Sequence, residues 1–295
     1  MAFSIHTSTK KLPNHFSVAY YEKGYFDSHS YSNFHAFSEE HFFIAFDLIN
    51  NEAISIPRSP FGSIFCKGAQ KEAVYFLGKI WQYLRSKGIL KVIISHPAEF
   101  YSSFVPSQDL LKSGFSLSFR DVNQQIELTS DWEDRIHKMQ QRKLQSLKAD
   151  GFQFRKMKEN ELETAYKFLT VCRQAQGLQI NISLEQLQTQ NENLPSKLEC
   201  FGVFRDEKIS ALCIAVNVTS DIAYYYLPAT SPMFRNQSPM VLLIAGMVDY
   251  YREKDFKYLD LGVSSIQGKP QETLMKFKER MGAEVSDKLT LELSL

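Results

Sequence analysis

Three groups of residues in this chain carry chemistry in their types and spacing. The first is Arg235-Asn236-Gln237-Ser238-Pro239, followed by the mostly apolar run Met240–Val248. Serine is a good helix N-cap and proline an expected first helical residue, so a helix is predicted to open at Ser238. Unpaired N–H groups and the helix dipole favour an anion at that end, and Arg235, Asn236 and Gln237 add side-chain donors for a phosphate. The second group is Tyr224-Tyr225-Tyr226 with Asp260. Alternate residues of a strand face opposite sides, so Tyr226 and Asp260 are candidates for proton relay in a cleft. The same residues serve equally well as core aromatics and a loop-capping aspartate. The third is Arg58-Ser59-Pro60-Phe61-Gly62, a charged turn that suits an anionic acceptor or a plain Pro/Gly turn.

These residues need elements to position them. Tyr258, Leu259 and Leu261 suit a short buried strand, Gly262–Gly268 interrupt it, and Pro270 opens a helix that ends at Gly282. Upstream, Leu198–Arg205, Lys208–Val218 and Asp221–Leu227 read as a three-strand meander with polar turns, followed by a helix over Pro239–Lys254. The first half repeats this order. Phe42–Ile49 and Ala53–Ile56 form an apolar hairpin, a short strand lies near Ile64-Phe65, and Val74, Leu77, Ile80, Trp81 and Leu84 have helical spacing. From Tyr83 and from Tyr250 the two halves align without gaps, helix end into strand. Each unit then continues through a short helix (near Gln108–Lys112 and Thr273–Arg280) into a last strand (Gly114–Leu128 and Glu284–Leu293). An internal duplication is the simplest reading. It gives an α/β (α+β) chain of two tandem domains, 1–130 and 131–295, each a mixed, mostly antiparallel sheet flanked by helices.

Composition narrows the function classes. The chain has 295 residues, 44% hydrophobic and 23% charged, with a net charge of +1. That balance suits globular domains and provides no global field towards nucleic acid or anionic lipid, so DNA is not an expected partner. Met240–Val248 is far shorter than the roughly 20 residues of a membrane-crossing helix, and the N-terminus lacks a signal-peptide core. Cys66, Cys172, Cys200 and Cys213 form no metal-binding spacing and read as buried thiols of a cytoplasmic protein; no metal is expected. No histidine follows His137, so a C-terminal site works without an imidazole from its own half.

Asp260-Leu261-Gly262 followed by Phe277-Lys278-Glu279-Arg280-Met281-Gly282 resembles the end of the FemAB branch of the GNAT-like acyltransferases. Members there commonly read DLGG and then FKxxFG; Met281 stands where the family often has Phe. Arg142-Lys143-Leu144-Gln145-Ser146-Leu147-Lys148-Ala149-Asp150-Gly151-Phe152 resembles the element that opens the second domain of FemAB proteins, on a helix with an apolar stripe and Gly151 as C-cap. Arg58–Gly62 is similar to a turn seen in some relatives. The resemblance implies that each half is a GNAT-like domain and that Lys278 acts near the substrate phosphates or the reaction centre. It also implies that Arg142 and Lys143, with Arg58, contact the acceptor or its phosphates; a solvated basic face is the other reading of that helix.

The implied activity is acyl or aminoacyl transfer that forms an amide on an amine, a cell-envelope precursor being one class of small acceptor. The alternative is a catalytically inactive GNAT-derived scaffold that binds a ligand or partner. Two donors follow from the family, acyl-CoA and aminoacyl-tRNA, and the sequence departs from both patterns. Acetyl-CoA users carry an R/Q-x-x-G-x-G/A loop where this chain has Arg235–Met240 without glycine, and the first-half equivalent, Lys67–Lys71, keeps one glycine. The long charged arm that FemAB proteins use for tRNA is missing; Leu178–Asn193 is only a short polar helix.

Overall fold

The structure is a computed structural model and describes residues 2–12, 17–56, 58–67 and 72–295. The first half runs β1 (Ser4–His6), α1 (Lys23–Asp27), β2 (Phe34–Glu39), β3 (Phe42–Ile49), β4 (Glu52–Ser55), β5 (Phe65–Cys66), α2 (Ala73–Ser86), β6 (Lys91–His96), α3 (Ser107–Lys112) and β7 (Ser116–Glu127). The second half opens with α4 (Trp132–Arg135), α5 (Lys138–Ala149), β8 (Gln153–Lys156), α6 (Leu162–Gln174) and α7 (Leu184–Asn193). It continues with β9 (Leu198–Arg205), β10 (Lys208–Asn217), β11 (Ile222–Thr230), α8 (Met240–Arg252) and β12 (Tyr258–Val263). It closes with β13 (Ser265–Ile266), β14 (Lys269–Pro270), α9 (Glu272–Arg280) and β15 (Glu284–Ser294). The hairpin, the meander and the long helices lie where the apolar periodicities put them. Residues 68–71 of the Lys67–Lys71 loop lie outside the described residues.

All strands except the β13–β14 hairpin join one mixed sheet in the order β1-β2-β3-β4-β6-β15-β7-β12-β11-β10-β9-β8, with β5 on β3. The centre of that order departs from two self-contained sheets. The last strand of the chain, β15, lies between β6 and β7, while β7 lies between β15 and β12. Each half thus completes the other's sheet. Two parallel pairs flank this exchange, β4 with β6 and β11 with β12. Among the described residues three apolar cores result. One lies under α2 and includes Leu289 and Leu291 of β15; a second lies under α8 with Trp132 and Met281. The third spans both halves, joining Tyr20, Tyr25 and Phe61 of the first to Leu169, Leu212 and Ile214 of the second.

Candidate active site at the β11–β12 gap

Strands β11 and β12 pair in parallel over only three residue pairs, Ile222–Tyr258, Ala223–Leu259 and Tyr224–Asp260. Beyond them the strands diverge, which leaves backbone groups without a ladder partner at the middle of the sheet. A cavity of roughly 890 Å³ opens at this gap, lined on β11 by Tyr225, Pro228, Ala229 and Thr230 and on β12 by Leu261. The N-terminal two turns of α8 contribute Met240 and Ile244, and α9 contributes Leu274, Phe277 and Lys278. Arg235 and Ser238 line it before α8, and Arg173 and Gln176 reach it from the end of α6.

The corresponding gap in the first half is closed. The Ser55 hydroxyl donates to the Gly62 carbonyl at 2.6 Å, and the Gly62 N–H donates to the Ser95 carbonyl at 2.7 Å. The chain after β4 therefore fills the space that stays open after β11. Behind it, the Ser63 hydroxyl lies 2.9 Å from His96 Nδ1, and His96 Nε2 lies 3.7 Å from a Glu99 carboxylate held down at about 2 chiefly by its hydrogen bond to His96. This resembles a nucleophile–base–acid alignment, but Ser63 is wholly buried, so no substrate reaches its oxygen.

Lys278 forms part of the cavity floor. Its ammonium is buried and donates to the carbonyls of Gly262, at 2.7 Å, and Val263, at 3.0 Å. Burial pulls its pKa down to about 8, with the Asp260 carboxylate opposing the shift. Asp260 is equally buried and accepts from the Tyr101 hydroxyl (2.8 Å), the Asn123 amide (2.9 Å) and the Gly262 N–H (2.8 Å). Burial raises its pKa against those hydrogen bonds and the Lys278 charge. Two of its donors, Tyr101 and Asn123, come from the first half, so the site is assembled across the exchanged strands. Gly262 has φ +73°, and a Cβ there would sit 3.1 Å from the Tyr224 hydroxyl. Glycine is what lets the chain turn this close to the tyrosine.

The predicted alternation of the three tyrosines is present. Tyr225 packs under α8 and lines the cavity, whereas Tyr224 and Tyr226 pack on the opposite face. Tyr224 is the one that feels the Asp260 charge; Tyr226 lies two residues further along, with ring centroids 6.1 Å apart. Burial raises both phenols, so both stay protonated at neutral pH.

The predicted phosphate-binding residues are divided. Arg235 and Ser238 line the cavity, while Asn236 and Gln237 are exposed on a 3-10 turn over Pro232–Gln237. Ser238 does not cap α8 with its side chain. The 3-10 turn ends on it in a left-handed conformation (φ 59°), Pro239 occupies the position before the helix, and the Ser238 hydroxyl accepts from the Lys143 ammonium at 3.1 Å. Lys143 therefore sits beside the start of α8 and apart from Arg58, with which it was grouped; Arg142 is exposed on the same helix. Arg58 lies on the far side, where its charge acts on Tyr25, His29 and Tyr31. Arg173, Tyr101 and Asn123 had no motif to mark them; only their place in the fold brings them to the site.

Among the described residues no group of His, Cys, Asp or Glu is arranged to hold a metal ion, and no helix is long and apolar enough to cross a membrane. All four cysteines are buried.

Residues 136–267 match the model of the acetyltransferase (GNAT) domain. Among solved structures, FemX is similar over 100% of this chain and 98% of its own, with a TM-score of 0.70 at 12% identity. L-PGS from Bacillus licheniformis is similar over 87% of this chain and 82% of its own, with a TM-score of 0.60 at 12% identity. A search of curated proteins finds no match. The chain thus has the fold of FemX, and its residues 136–267 are similar to the acetyltransferase (GNAT) domain.

Proposed function

We propose that the protein is an N-acyltransferase that takes an acyl group from an acyl-CoA in the β11–β12 cavity and forms an amide on an amine presented from the Asp260 side. The observation that carries this reading is the buried Lys278 ammonium on the cavity floor, with Asp260 behind the same turn of β12. Arg235, Arg173 and Lys143 near the start of α8 supply cations for the donor's phosphates, a role that helix ends and fixed charges support without a glycine loop.

In this reading the amine nitrogen attacks the acyl carbonyl, and the carbonyl oxygen becomes an oxyanion facing the Lys278 ammonium. The nitrogen loses its proton towards Asp260, with the Tyr224 hydroxyl as the intervening group. The carbon–sulfur bond then breaks, the amide leaves on the acceptor side, and the thiolate of coenzyme A takes up a proton. The first half, its own gap closed, forms the wall against which the acceptor rests, and the division near residue 130 separates donor-binding from acceptor-holding parts. Tyr226 and Arg58 belong to the acceptor side of this scheme.

The test is a transfer assay with acetyl- and longer acyl-CoA against a mixture of small amines, comparing the parent protein with Lys278→Met. Amide formation that falls at least a hundredfold in the variant supports the proposal. A protein that binds small molecules but never forms an amide would instead be the inactive scaffold.

A further inference from the structure

The reaction above uses one lysine, and a second lies at the same gap. Strands β11 and β12 part after the Tyr224–Asp260 pair, and the cavity proposed for the donor opens on the face of Tyr225 and Leu261. The other face has a smaller cavity of roughly 10 Å³, room for about one water molecule. It is lined by Tyr224, Asp260 and Val263, by Asn123 of β7, by Phe61 of the first half and by Lys288 of β15. Val263 touches both sites: its carbonyl accepts from Lys278, and the residue lines the cavity that Lys288 enters.

Lys288 comes from the middle of the sheet, where it faces Asp121 across the β7–β15 ladder. It is half-buried and makes no hydrogen bond or ion pair among the described residues. The two carboxylates whose charge it feels are already occupied. Asp121 accepts from the Ser265 hydroxyl at 2.6 Å and the Gly268 N–H at 2.9 Å, and Asp260 has its three donors. Burial pulls the Lys288 pKa down, with Asp260 and Asp121 opposing the shift. An unpaired, partly desolvated amine beside a carboxylate is the state in which lysine acts as a nucleophile. Lys278 differs, because its nitrogen is committed as a donor to two carbonyls.

We propose that Lys288 is an internal acceptor, acylated by the protein's own donor when no other amine occupies the Asp260 side. The inference rests on the acyltransferase reading for that donor. The neutral Lys288 nitrogen attacks the thioester carbon through the gap, a carbon–nitrogen bond forms and the carbon–sulfur bond breaks. The nitrogen gives up one proton towards Asp260 and the departing thiolate takes up one, so the products are N-acyl-lysine and coenzyme A. Acylated Lys288 has lost its charge and fills a cavity with little spare room, which closes the acceptor side to other amines.

The test is to incubate the full chain with acetyl-CoA and no added amine, then measure its intact mass and map the modified peptide. One acetyl group should add, at Lys288, at least tenfold faster than at the exposed Lys158 and Lys254 of the same molecule. Adding the small amines of the transfer assay should slow this step, and Lys278→Met should slow it at Lys288 alone. Preincubation with acetyl-CoA should lower the parent's later transfer to added amines at least fivefold, and Lys288→Arg should keep its own starting rate. Even labelling across the lysines would overturn the inference, as would a label on Lys278 in place of Lys288. Transfer to added amines with Lys288 unmodified would overturn it and leave the acyltransferase reading standing. Acylation of Lys288 with no added amine ever used would keep this site and overturn the small-amine acceptor. No transfer of either kind would overturn both.

Discussion

At the scale of the residue, the account depends on the Lys278 proton. If the ammonium is what receives the developing oxyanion, the rate of transfer falls as pH rises through its pKa of about 8, because deprotonation removes the positive charge. A descending limb in log kcat/KM near that pH, shifted well upward in Lys278→Arg, is the expected profile; a flat profile to pH 9 would remove Lys278 from the chemistry. Lys278→Met should also cost stability, since it leaves the Gly262 and Val263 carbonyls without their donor, and about 1–3 kcal/mol by denaturant titration is expected. The sequence marked Lys278 and Asp260 through a resemblance to a motif, and the structure puts Lys278 on the cavity floor with Asp260 buried behind the same turn. It singled out Tyr226, whereas Tyr224 is the residue paired with Asp260, because strand alternation assigns both to one face and only the register of β11 on β12 decides which meets Asp260. Ser238-Pro239 carries the pattern of a cap, yet a preceding 3-10 turn takes Ser238 into a left-handed conformation, and local turn energetics override the cap.

At the scale of the element, the turn from β12 into the β13–β14 hairpin does the positioning. Gly262 supplies an N–H to Asp260 and a carbonyl to Lys278 from one left-handed residue. Gly262→Ala should cost about 1–2 kcal/mol from the backbone conformation alone. It should also displace the Tyr224 hydroxyl, so activity should fall more than stability does; thermal melts and transfer rates measured together check this. Full activity in a folded Gly262→Ala protein would mean that the turn is not part of the site. Helices α2, α5 and α8 were legible because one apolar stripe at helical spacing needs no partner to be seen, and Gly151 ends α5 as its left-handed φ of +80° requires. The segment from Tyr20 to Phe34 is aromatic without a period, so its packing across the second half could not be read from it.

At the scale of the whole molecule, the exchange of β7 and β15 is what joins two repeats around one candidate site. The duplication was visible in the matched order of elements. The exchange was not, since both halves end in a long strand and nothing local states which neighbour that strand will choose. One consequence is mechanical: because β15 is bonded to β6 and β7, loosening it should loosen both halves. Leu291→Ala, at a wholly buried position of β15, should destabilise by about 2–5 kcal/mol. The two tryptophans, Trp81 in the first half and Trp132 in the second, report the halves separately when each is replaced by Phe in turn. Their denaturant midpoints should coincide in the parent and move together in Leu291→Ala; separate midpoints would mean that the halves fold independently.

The central claim, a donor seated in the β11–β12 cavity, is tested most directly by calorimetric titration with acetyl-CoA of the parent protein and of Thr230→Trp, which fills that cavity from its β11 wall. The account predicts micromolar binding to the parent and its loss in the filled variant. Absence of binding to the parent, or equal binding to both, would contradict it.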